Sequence, residues 1–452
     1  MINFESTRQT LIDIKKRTIS NSGLKRYFFN STWLVGEKLL RLIIGLFVGL
    51  YVARYLGPTN FGILNYAAAF VAIFTILAPL GLDEIIINEL IINPQKKNKV
   101  LGTGFVLKCF GVVLSIILTC ITFLFNVNDS QTNTYICIIL INLLFQPFFI
   151  IDFYFQSQVK AKYLVKANII SLILNSLIRL FLVVVKADLI YFVIVTVLDS
   201  LIVAIGLVYF YSKEQLRFAT WNFSKSLAFK MLKQSWPLII SSIAIMVYMR
   251  IDQLMLKQMT DFKTVGIYSA AVKISELWYF IPMAIGGSLF PAIINAKKIS
   301  HDLYIKRMQA FISLMVIISF PIAIIVALFS TNIIVLLYGL NFQAAGAILS
   351  VHIWTGIFVF IGVASGKYLI IEGLTKLSLY RSLWGAVANV VLNFILIPIL
   401  GGLGAAISTL IAQMIATYFF DYFNPRTREL FYIKTKALFF IFKLKETMSI
   451  LK

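Results

Sequence analysis

The sequence predicts an all-α protein that crosses a membrane about twelve times. Of its 452 residues, 60% are hydrophobic, and the mean hydropathy is +0.89. The apolar residues form continuous stretches of about 20, the length a helix needs to cross a bilayer. A soluble domain of this size would need more polar surface, and a transmembrane β-barrel would alternate apolar and polar residues. A polytopic helical membrane protein is the class that remains.

Twelve apolar stretches are predicted to span the membrane, with ends defined to within several residues. They lie at 32–53, 62–83, 100–124, 134–155, 164–185, 189–211, 236–256, 265–290, 309–329, 344–370, 379–400 and 403–423. The dipeptide Gly57-Pro58 predicts the turn between the first two. The eighth and tenth spans are long enough to be tilted or broken. Pro282 and Pro321 are expected to kink their helices.

These spans predict two six-helix halves with basic segments around and between them. The parts are a cytoplasmic amphipathic N-terminal segment at 1–31, an N-terminal half at 32–211, a basic cytoplasmic linker at 212–235, a C-terminal half at 236–423, and a basic cytoplasmic tail at 424–452. The polar, basic start predicts no cleavable signal peptide. The tail is expected to form an amphipathic helix on the anionic inner leaflet.

The distribution of charge supports this topology. The formal net charge is +22, and most of the 41 Lys and Arg fall in segments that share one side of the membrane. These segments include the stretches around Lys96, Lys160, Lys297 and Arg381. Cytoplasmic loops carry such an excess of Lys and Arg, so both termini are predicted to be cytoplasmic. The same excess explains the positive charge without a nucleic-acid partner.

No pattern for catalysis or a cofactor is present in the sequence. There is no phosphate-binding P-loop, no G-x-S-x-G nucleophile and no H-E-x-x-H pair. The three Cys and the isolated His301 and His352 predict neither a disulfide framework nor a metal site. The longest outer connection, at about 330–343, is uncharged and too short for a catalytic domain. The sequence therefore favours a transporter over an enzyme.

A faint repeat links the two predicted halves. Phe61-Gly62-Ile63 follows the first span, and Val265-Gly266-Ile267 follows the seventh at nearly the same spacing. Both motifs continue into a Tyr and paired Ala residues. Matches of this kind are common in apolar sequence. The repeat is nevertheless what two halves in the same orientation would produce.

Several cations fall inside the predicted spans, where a charge is costly and marks a pathway or ligand by default. Arg41 lies near the middle of the first span, roughly 14 Å deep. Two interpretations are open: an ion pair with Glu37 four residues earlier, or a contact for an anionic substrate. Lys108 either reaches back to the membrane surface or lines a cavity.

Four charged residues cluster in the seventh and eighth spans. Arg250 and Asp252 are about 200° apart on a helix, so each needs its own partner. Lys273 and Glu276 share one face, where they either pair with each other or contact substrate.

Other buried charges have simpler explanations. Arg179 and Asp199 lie in adjacent spans, where an interhelical salt bridge is the simplest interpretation. Asp83 is expected to be solvated at a helix end or paired with a basic loop. Asp421, near a cytoplasmic helix end, is expected to be solvated.

Seven runs of residues resemble the bacterial polysaccharide flippases. They are 53–70 (ARYLGPTNFGILNYAAAF), 80–83 (LGLD), 235–238 (SWPL), 245–253 (IMVYMRIDQ), 266–282 (GIYSAAVKISELWYFIP), 351–360 (VHIWTGIFVF) and 389–393 (NVVLN). The resemblance covers essentially the whole chain. It places the protein within the multidrug/oligosaccharidyl-lipid/polysaccharide exporter superfamily.

The resemblance implies a multidrug and toxic compound extrusion-like fold and a specific cargo. That cargo is an undecaprenyl-diphosphate-linked oligosaccharide, such as an O-antigen or capsule repeat unit, carried to the outer leaflet of the bacterial inner membrane by alternating access. Its diphosphate suits the cavity cations Arg41, Arg250 and Lys273, followed by Lys108 and Arg179.

The resemblance also extends to coupling and partners. Asp252, Glu276, Glu37 and Asp199 are expected to orient the cavity cations or to couple transport to H⁺ or Na⁺, with no other cofactor. Membrane lipids, a polysaccharide polymerase and a chain-length regulator are the expected partners.

Three other functions stay open from the sequence. An ion-coupled multidrug or organic cation antiporter of the same superfamily would have an acidic cavity, whereas the deep charges here lean basic. A membrane polymerase or ligase would elongate or transfer lipid-linked glycan. A scaffold for the assembly machinery would move no lipid between leaflets.

Overall fold

The computed structural model describes residues 22–125 and 128–439, with side chains from Thr32 onwards. Within these residues all regular elements are helices. Their bounds are α1 Ser22–Thr75, α2 Asp83–Ile92, α3 Lys97–Phe123, α4 Ser130–Leu140, α5 Ile150–Ser157, α6 Lys162–Val184, α7 Leu189–Lys213, α8 Lys225–Met259, α9 Phe262–Glu276, α10 Phe280–Ile299, α11 His301–Leu328, α12 Ser330–Tyr338, α13 Ala345–His352, α14 Thr355–Ile371, α15 Thr375–Leu400, α16 Gly402–Met414, α17 Phe420–Phe423 and α18 Arg428–Phe439. A 3₁₀ stretch, Ile141–Phe149, joins α4 to α5, and a π-helical turn, Ile415–Phe419, joins α16 to α17.

Eleven helical stretches in the described residues are long and apolar enough to cross a membrane. The first of them, Thr32–Thr75, contains two helices, because Gly57 has a non-helical backbone (φ 68°, ψ 173°). Glycine tolerates this left-handed φ, which would strain a residue with a side chain. Counting α1 as two helices gives twelve candidate crossings. The prediction of an all-α polytopic membrane protein is confirmed.

The end of the second span differs from its prediction. The helix stops at Thr75 rather than near 83, and the chain turns at 76–81 before α2 begins at Asp83. Leu80 and Gly81 both have positive φ, which no continuous helix allows. The segment is apolar throughout, so hydropathy alone could not locate this break.

Two other predicted spans are broken, as their length suggested. A 3₁₀ turn at Leu277–Tyr279 divides the eighth span into α9 and α10, and the tenth is divided between α13 and α14. Pro282 lies in the first turn of α10, where a missing N–H costs nothing. The outer connection predicted at 330–343 also contains a helix, α12.

The described part of the tail packs on the protein. Leu430, Ile433 and Ala437 of α18 are buried on α11 within the protein, and the Gln309 amide donates to the Ile433 carbonyl at 3.1 Å. The buried face of this helix therefore packs on the protein and not on lipid, and its position at the inner leaflet stays a prediction. Residues 1–21 of the predicted N-terminal segment and 440–452 of the tail lie outside the described residues.

The chain forms two compact units. Among the described residues, unit 1 comprises 22–49, 77–125, 128 and 137–236, and unit 2 comprises 50–76, 129–136 and 237–439. The helix that follows the Gly57 break thus groups with the C-terminal part of the chain. The division predicted from hydropathy, 32–211 and 236–423, stays a prediction.

Two helices of unit 2 approach so closely that their backbones touch. A Cβ atom added to Gly62 would lie 1.8 Å from the Phe262 carbonyl oxygen. A Cβ atom added to Gly266 would lie 1.9 Å from the Pro58 carbonyl oxygen. Each glycine meets the carbonyl four residues before the other glycine, so the contact is reciprocal. These are the glycines of the two repeat motifs, which therefore pack on each other.

Replacing Gly62 or Gly266 with Leu is expected to lower the free energy of unfolding by about 3 kcal/mol, because the opposing atoms are backbone and cannot rotate away. Thermal unfolding of the purified protein in detergent measures this effect. Gly287→Leu is the matched control, since a Cβ at Gly287 meets nothing within 4 Å. Equal melting temperatures for the three variants would contradict the prediction.

Candidate functional site

In unit 1, Arg41 lies between two carboxylates. Its Nε is 2.8 Å from Glu37 Oε1, and its Nη1 is 3.6 Å from Asp199 Oδ2. Glu37 is buried, whereas Arg41 keeps 37% of its side chain exposed. The Ser171 hydroxyl donates to Asp199 Oδ1 at 2.6 Å and so fixes the second carboxylate. Arg41, Glu37 and Asp199 therefore form one cluster with a partly accessible guanidinium.

The predicted salt bridge between Arg179 and Asp199 is wrong. Asp199 pairs with Arg41, and among the described residues no salt bridge joins it to Arg179. Arg179 Nε is buried and has no hydrogen-bond partner in the part of the chain that the structure describes. The two helices α6 and α7 do pack together, so adjacency was inferred correctly from sequence while the choice of partner was not.

Lys108 belongs to a buried cluster with a carboxylate and an aromatic ring. Its Nζ lies 2.9 Å from Asp83 Oδ1 and 4.3 Å from the centre of the Phe153 ring. Only 3% of the Lys108 side chain is exposed. Asp83 thus pairs with a buried lysine of α3 and not with a basic loop, while 48% of its side chain stays exposed at the start of α2, as the expectation of solvation at a helix end requires. The turn at 76–81 and the start of α2 bring it there.

Unit 2 contains a cavity of about 340 Å³. Its walls come from α8, α9, α13, α14, α15 and α16, together with the π-helical turn and the 3₁₀ turn after α9. Most of the lining is apolar, but seven charged or aromatic polar groups face it: Tyr248, Asp252, Tyr268, Glu276, Tyr279, His352 and Arg381. Pockets of this size and mixed character are typical ligand sites.

Asp252 accepts hydrogen bonds from three side chains at one end of this cavity. The Tyr268 hydroxyl and the Thr409 hydroxyl each lie 2.5 Å from Oδ2, and Asn393 Nδ2 lies 2.6 Å from Oδ1. Asn389 Oδ1 accepts from the same Asn393 amide at 3.3 Å. The Asn393 Oδ1 atom is buried without a partner in the described residues. A buried carboxylate and an unused amide oxygen therefore lie side by side.

The remaining predicted residues of unit 2 lie near this cavity. Glu276 lines it and is within electrostatic reach of Arg250 and Lys273. The Lys273 ammonium lies 4.5 Å from the centre of the Phe61 ring, a cation–π contact. Arg250 is half-buried on α8. It belongs to a different compact unit from Arg41.

Arg381 was not among the predicted site residues, because its charge was counted with the cytoplasmic segments although it falls within the predicted span 379–400. Arg381 is buried in α15 and lines the cavity. Its Nε donates to the Ala416 carbonyl at 3.0 Å, and its Nη2 donates to Ser365 Oγ at 3.0 Å and to the Thr417 carbonyl at 3.4 Å. The predicted span placed Arg381 only two residues inside its helix, whereas α15 begins at Thr375 and places it nearly two turns inside.

Arg381 shares one buried carboxylate with a lysine of the tail helix. Asp421 Oδ1 lies 4.0 Å from Arg381 Nε, and Lys434 donates to both Asp421 and the Thr417 carbonyl. Asp421 and Lys434 are fully buried, so the expectation of a solvated Asp421 is wrong. Burial lowers the pKa of Lys434 to about 7.

Known proteins share this architecture. A multidrug resistance MATE family transporter of the MOP superfamily, in an inward-facing conformation, matches with a TM-score of 0.72 and 13% identity, over 88% of this chain and 94% of that one. The lipid II flippase MurJ, in an inward closed conformation, matches with a TM-score of 0.70 and 15% identity, over 93% of both chains. The fold is therefore that of MOP superfamily transporters.

Sequence comparison gives the family. The family model described as polysaccharide biosynthesis protein matches residues 29–297, more than half of the chain. The chain belongs to this family. It is also similar to the probable flippase AglR of Haloferax volcanii, with 27% identity over 178 residues. That match covers 38% of this chain and 37% of AglR.

The Lys434 pKa predicts a pH-dependent stability. The folded pKa of about 7 lies below the ordinary value of 10.5, so between these values the unfolded chain binds more protons than the folded protein. Stability is therefore expected to rise as the pH rises from about 7 towards 10.5. Melting temperatures measured across this window should show a shallower rise for Lys434→Met.

Lys436→Met is the control for this experiment, because Lys436 is exposed on the same helix. It is expected to keep the wild-type pH dependence. A Lys434→Met profile that overlaid the wild-type profile would contradict the prediction.

Proposed function

We propose that this protein is a flippase for lipid-linked oligosaccharide. In this proposal it carries an undecaprenyl-diphosphate-linked repeat unit, of O-antigen or a similar surface polysaccharide, from the inner to the outer leaflet of the bacterial cytoplasmic membrane. Both termini lie in the cytoplasm, and transport proceeds by alternating access. Membership of the polysaccharide biosynthesis family and a transporter fold support it. A polymerase and a chain-length regulator would receive the product.

The observation that carries the proposal is the cavity of unit 2. It brings ionised side chains to an open space within helices apolar enough to cross a membrane. Charged groups inside a membrane protein are costly and mark substrate or ion pathways. A glycan with a diphosphate needs such a polar space, whereas its polyprenyl chain can stay in the lipid. The described residues contain no group of three or more His, Cys, Asp or Glu suited to a metal.

The structure separates the predicted cations by what surrounds them. Arg41 is partly exposed and can exchange one carboxylate for a phosphate oxygen. Arg250 and Lys273 lie beside the cavity carboxylate Glu276. Lys108 is enclosed with Asp83 and Phe153, which suits a structural role. Arg41 and Arg250, each in its own unit, are thus the preferred contacts, with Lys273 third and Arg179 after it.

Removing either preferred cation is expected to slow transport. Arg41→Gln and Arg250→Gln each remove a charge-assisted hydrogen bond to phosphate, worth about 1.5–3 kcal/mol, or roughly tenfold or more in rate. The measurement is transfer of undecaprenyl-diphosphate-linked glycan between leaflets of proteoliposomes. Lys263→Gln, at an exposed position outside the cavity lining, is the control and should transport normally.

The same assay separates the competing functions. An antiporter for organic cations is favoured by one observation, the two carboxylates Asp252 and Glu276 on the cavity wall. Efflux of organic cations by the wild type, with no transfer of glycan, would establish the antiporter instead. Elongation or transfer of glycan by the purified protein would identify a polymerase or ligase.

We assign ion coupling to Asp252. Its carboxylate is buried, which disfavours its charge, and two of its three donors are hydroxyls, which can rotate to accept a hydrogen bond when the carboxyl group takes up a proton. The Asn393 Oδ1 atom, the Asp252 carboxylate and the Thr409 hydroxyl also supply the oxygen ligands that a sodium ion prefers. Transport would depend on the charge of Asp252 whether the coupling ion is a proton or a sodium ion. Glu276, Glu37 and Asp199 instead orient nearby cations in this proposal.

Asp252→Asn is expected to abolish stimulation of transport by an ion gradient, because the amide keeps the shape of the carboxylate but not its charge. Transport in proteoliposomes under imposed proton or sodium gradients measures this, and the gradient that stimulates the wild type identifies the ion. Asp261→Asn, at the exposed N-terminus of α9, is the control. Full stimulation of Asp252→Asn by the ion gradient would contradict the assignment of ion coupling to Asp252.

A further inference from the structure

Arg381 lies at one end of the unit 2 cavity, and only some of its hydrogen-bond donors have partners in the described residues. Nε and Nη2 of Arg381 donate to two backbone carbonyls and to Ser365. Within the described residues no hydrogen bond uses Nη1. The side chain is nine-tenths or more buried and lines the cavity. Two N–H groups of a fixed guanidinium are therefore available to a ligand there.

Polar side chains surround this guanidinium at helical spacing. Ser378, Arg381, Ser382 and Gly385 follow one face of α15, and all four line the cavity. Gln413 lines it from α16. Hydroxyl and amide donors beside an arginine are suited to phosphate oxygens.

The charge at this end also favours an anion. Asp421 is the carboxylate nearest to Arg381, and it is shared with Lys434. One carboxylate between two cations does not fully neutralise them while Lys434 holds its proton. The cavity carboxylate Asp252 is bonded to Asn393, which lies twelve residues, or roughly 18 Å, from Arg381 along α15. The cavity thus has a cationic end and an acidic end.

We propose that the Arg381 end of this cavity binds the phosphate groups of the lipid-linked substrate. This inference rests on the proposed flippase function and adds a binding subsite to it. Arg381 Nη1 donates to a phosphate oxygen, and Ser378, Ser382 and Gln413 complete the donor set. With α15 beginning on the cytoplasmic side, the subsite takes the substrate as it arrives. The ion at Asp252 acts at the opposite end and does not compete for it.

The cavity has room for a test that leaves Arg381 intact. Gly366 of α14 lines the cavity, and a Cβ added there meets nothing within 4 Å. Gly366→Leu fills the space in front of the subsite without disturbing a packed contact, and Leu is the better helix former. Gly287→Leu in α10, also open at its Cβ and absent from the cavity wall, is the matched control.

The experiment measures binding of undecaprenyl diphosphate and of neutral undecaprenol to the purified protein. Wild type and Gly287→Leu are expected to prefer the diphosphate by at least tenfold. Arg381→Gln should lose that preference, and Gly366→Leu should lower diphosphate affinity at least tenfold. Inorganic pyrophosphate should compete only weakly, because it lacks the lipid chain.

Each other result overturns the subsite. Wild-type affinity and preference in Gly366→Leu would show that the phosphate binds elsewhere, while leaving the flippase proposal intact. An equal loss of affinity for both lipids in Arg381→Gln would show that the site binds the polyprenyl chain of the lipid and not its phosphate. Tight binding of free pyrophosphate would show that the site recognises a soluble anion and not a lipid-linked substrate. Absence of diphosphate-lipid binding in the wild type would contradict the subsite and the proposed function together.

Discussion

The backbone contact between Gly62 and Gly266 fixes the geometry on which unit 2 depends. Lipid chains are as apolar as the side chains they touch, so helices in a membrane associate mainly through close packing. Small residues permit the closest approach, and this pair allows a carbonyl from each helix to rest where a side chain would stand. Helix α9, held by this contact, supplies Tyr268 and Glu276 to the cavity.

Charged side chains within the helices are stabilised by oppositely charged or aromatic neighbours. Arg41 lies between Glu37 and Asp199, Lys108 has Asp83 and an aromatic ring, and Arg381 and Lys434 share Asp421. A charge pair inside a protein costs desolvation that only good geometry and further hydrogen bonds repay. The Asp421 cluster holds two cations and one carboxylate, so it keeps a positive charge that an anion could meet. The Arg41 cluster holds one cation and two carboxylates, so an anion must displace a carboxylate there.

Much of the fold followed from the sequence because hydrophobic length is a strong signal. Continuous apolar stretches and the distribution of Lys and Arg gave the class and the number of crossings. Breaks within apolar segments were harder to locate, since the turn at 76–81 depends on backbone conformation at Leu80 and Gly81. The close contact of the repeat glycines was also invisible, because sequence does not show which small residues meet.

The candidate site was less predictable, for reasons that individual residues illustrate. Asp252 stood out because a carboxylate in an apolar span is rare. Arg381 did not, since a basic residue near a loop matches the charge rule for cytoplasmic segments. Asp199 was given the wrong partner because adjacent helices offer several cations at similar depth. To choose the right cation, one must know how each helix is rotated about its axis. A helix that is apolar on every side gives no sequence signal for that rotation.

The packing of α18 has a consequence for how topology is measured in cells. Reporter enzymes are commonly joined to a membrane protein after a chosen loop, which discards everything downstream. A reporter joined just after Phe423 would remove Lys434 from Asp421 and from the π-helical turn, leaving a buried carboxylate with only Arg381 nearby. A reporter joined beyond Phe439 keeps that helix in place. The two fusions would therefore sample differently folded proteins although they share the same last crossing.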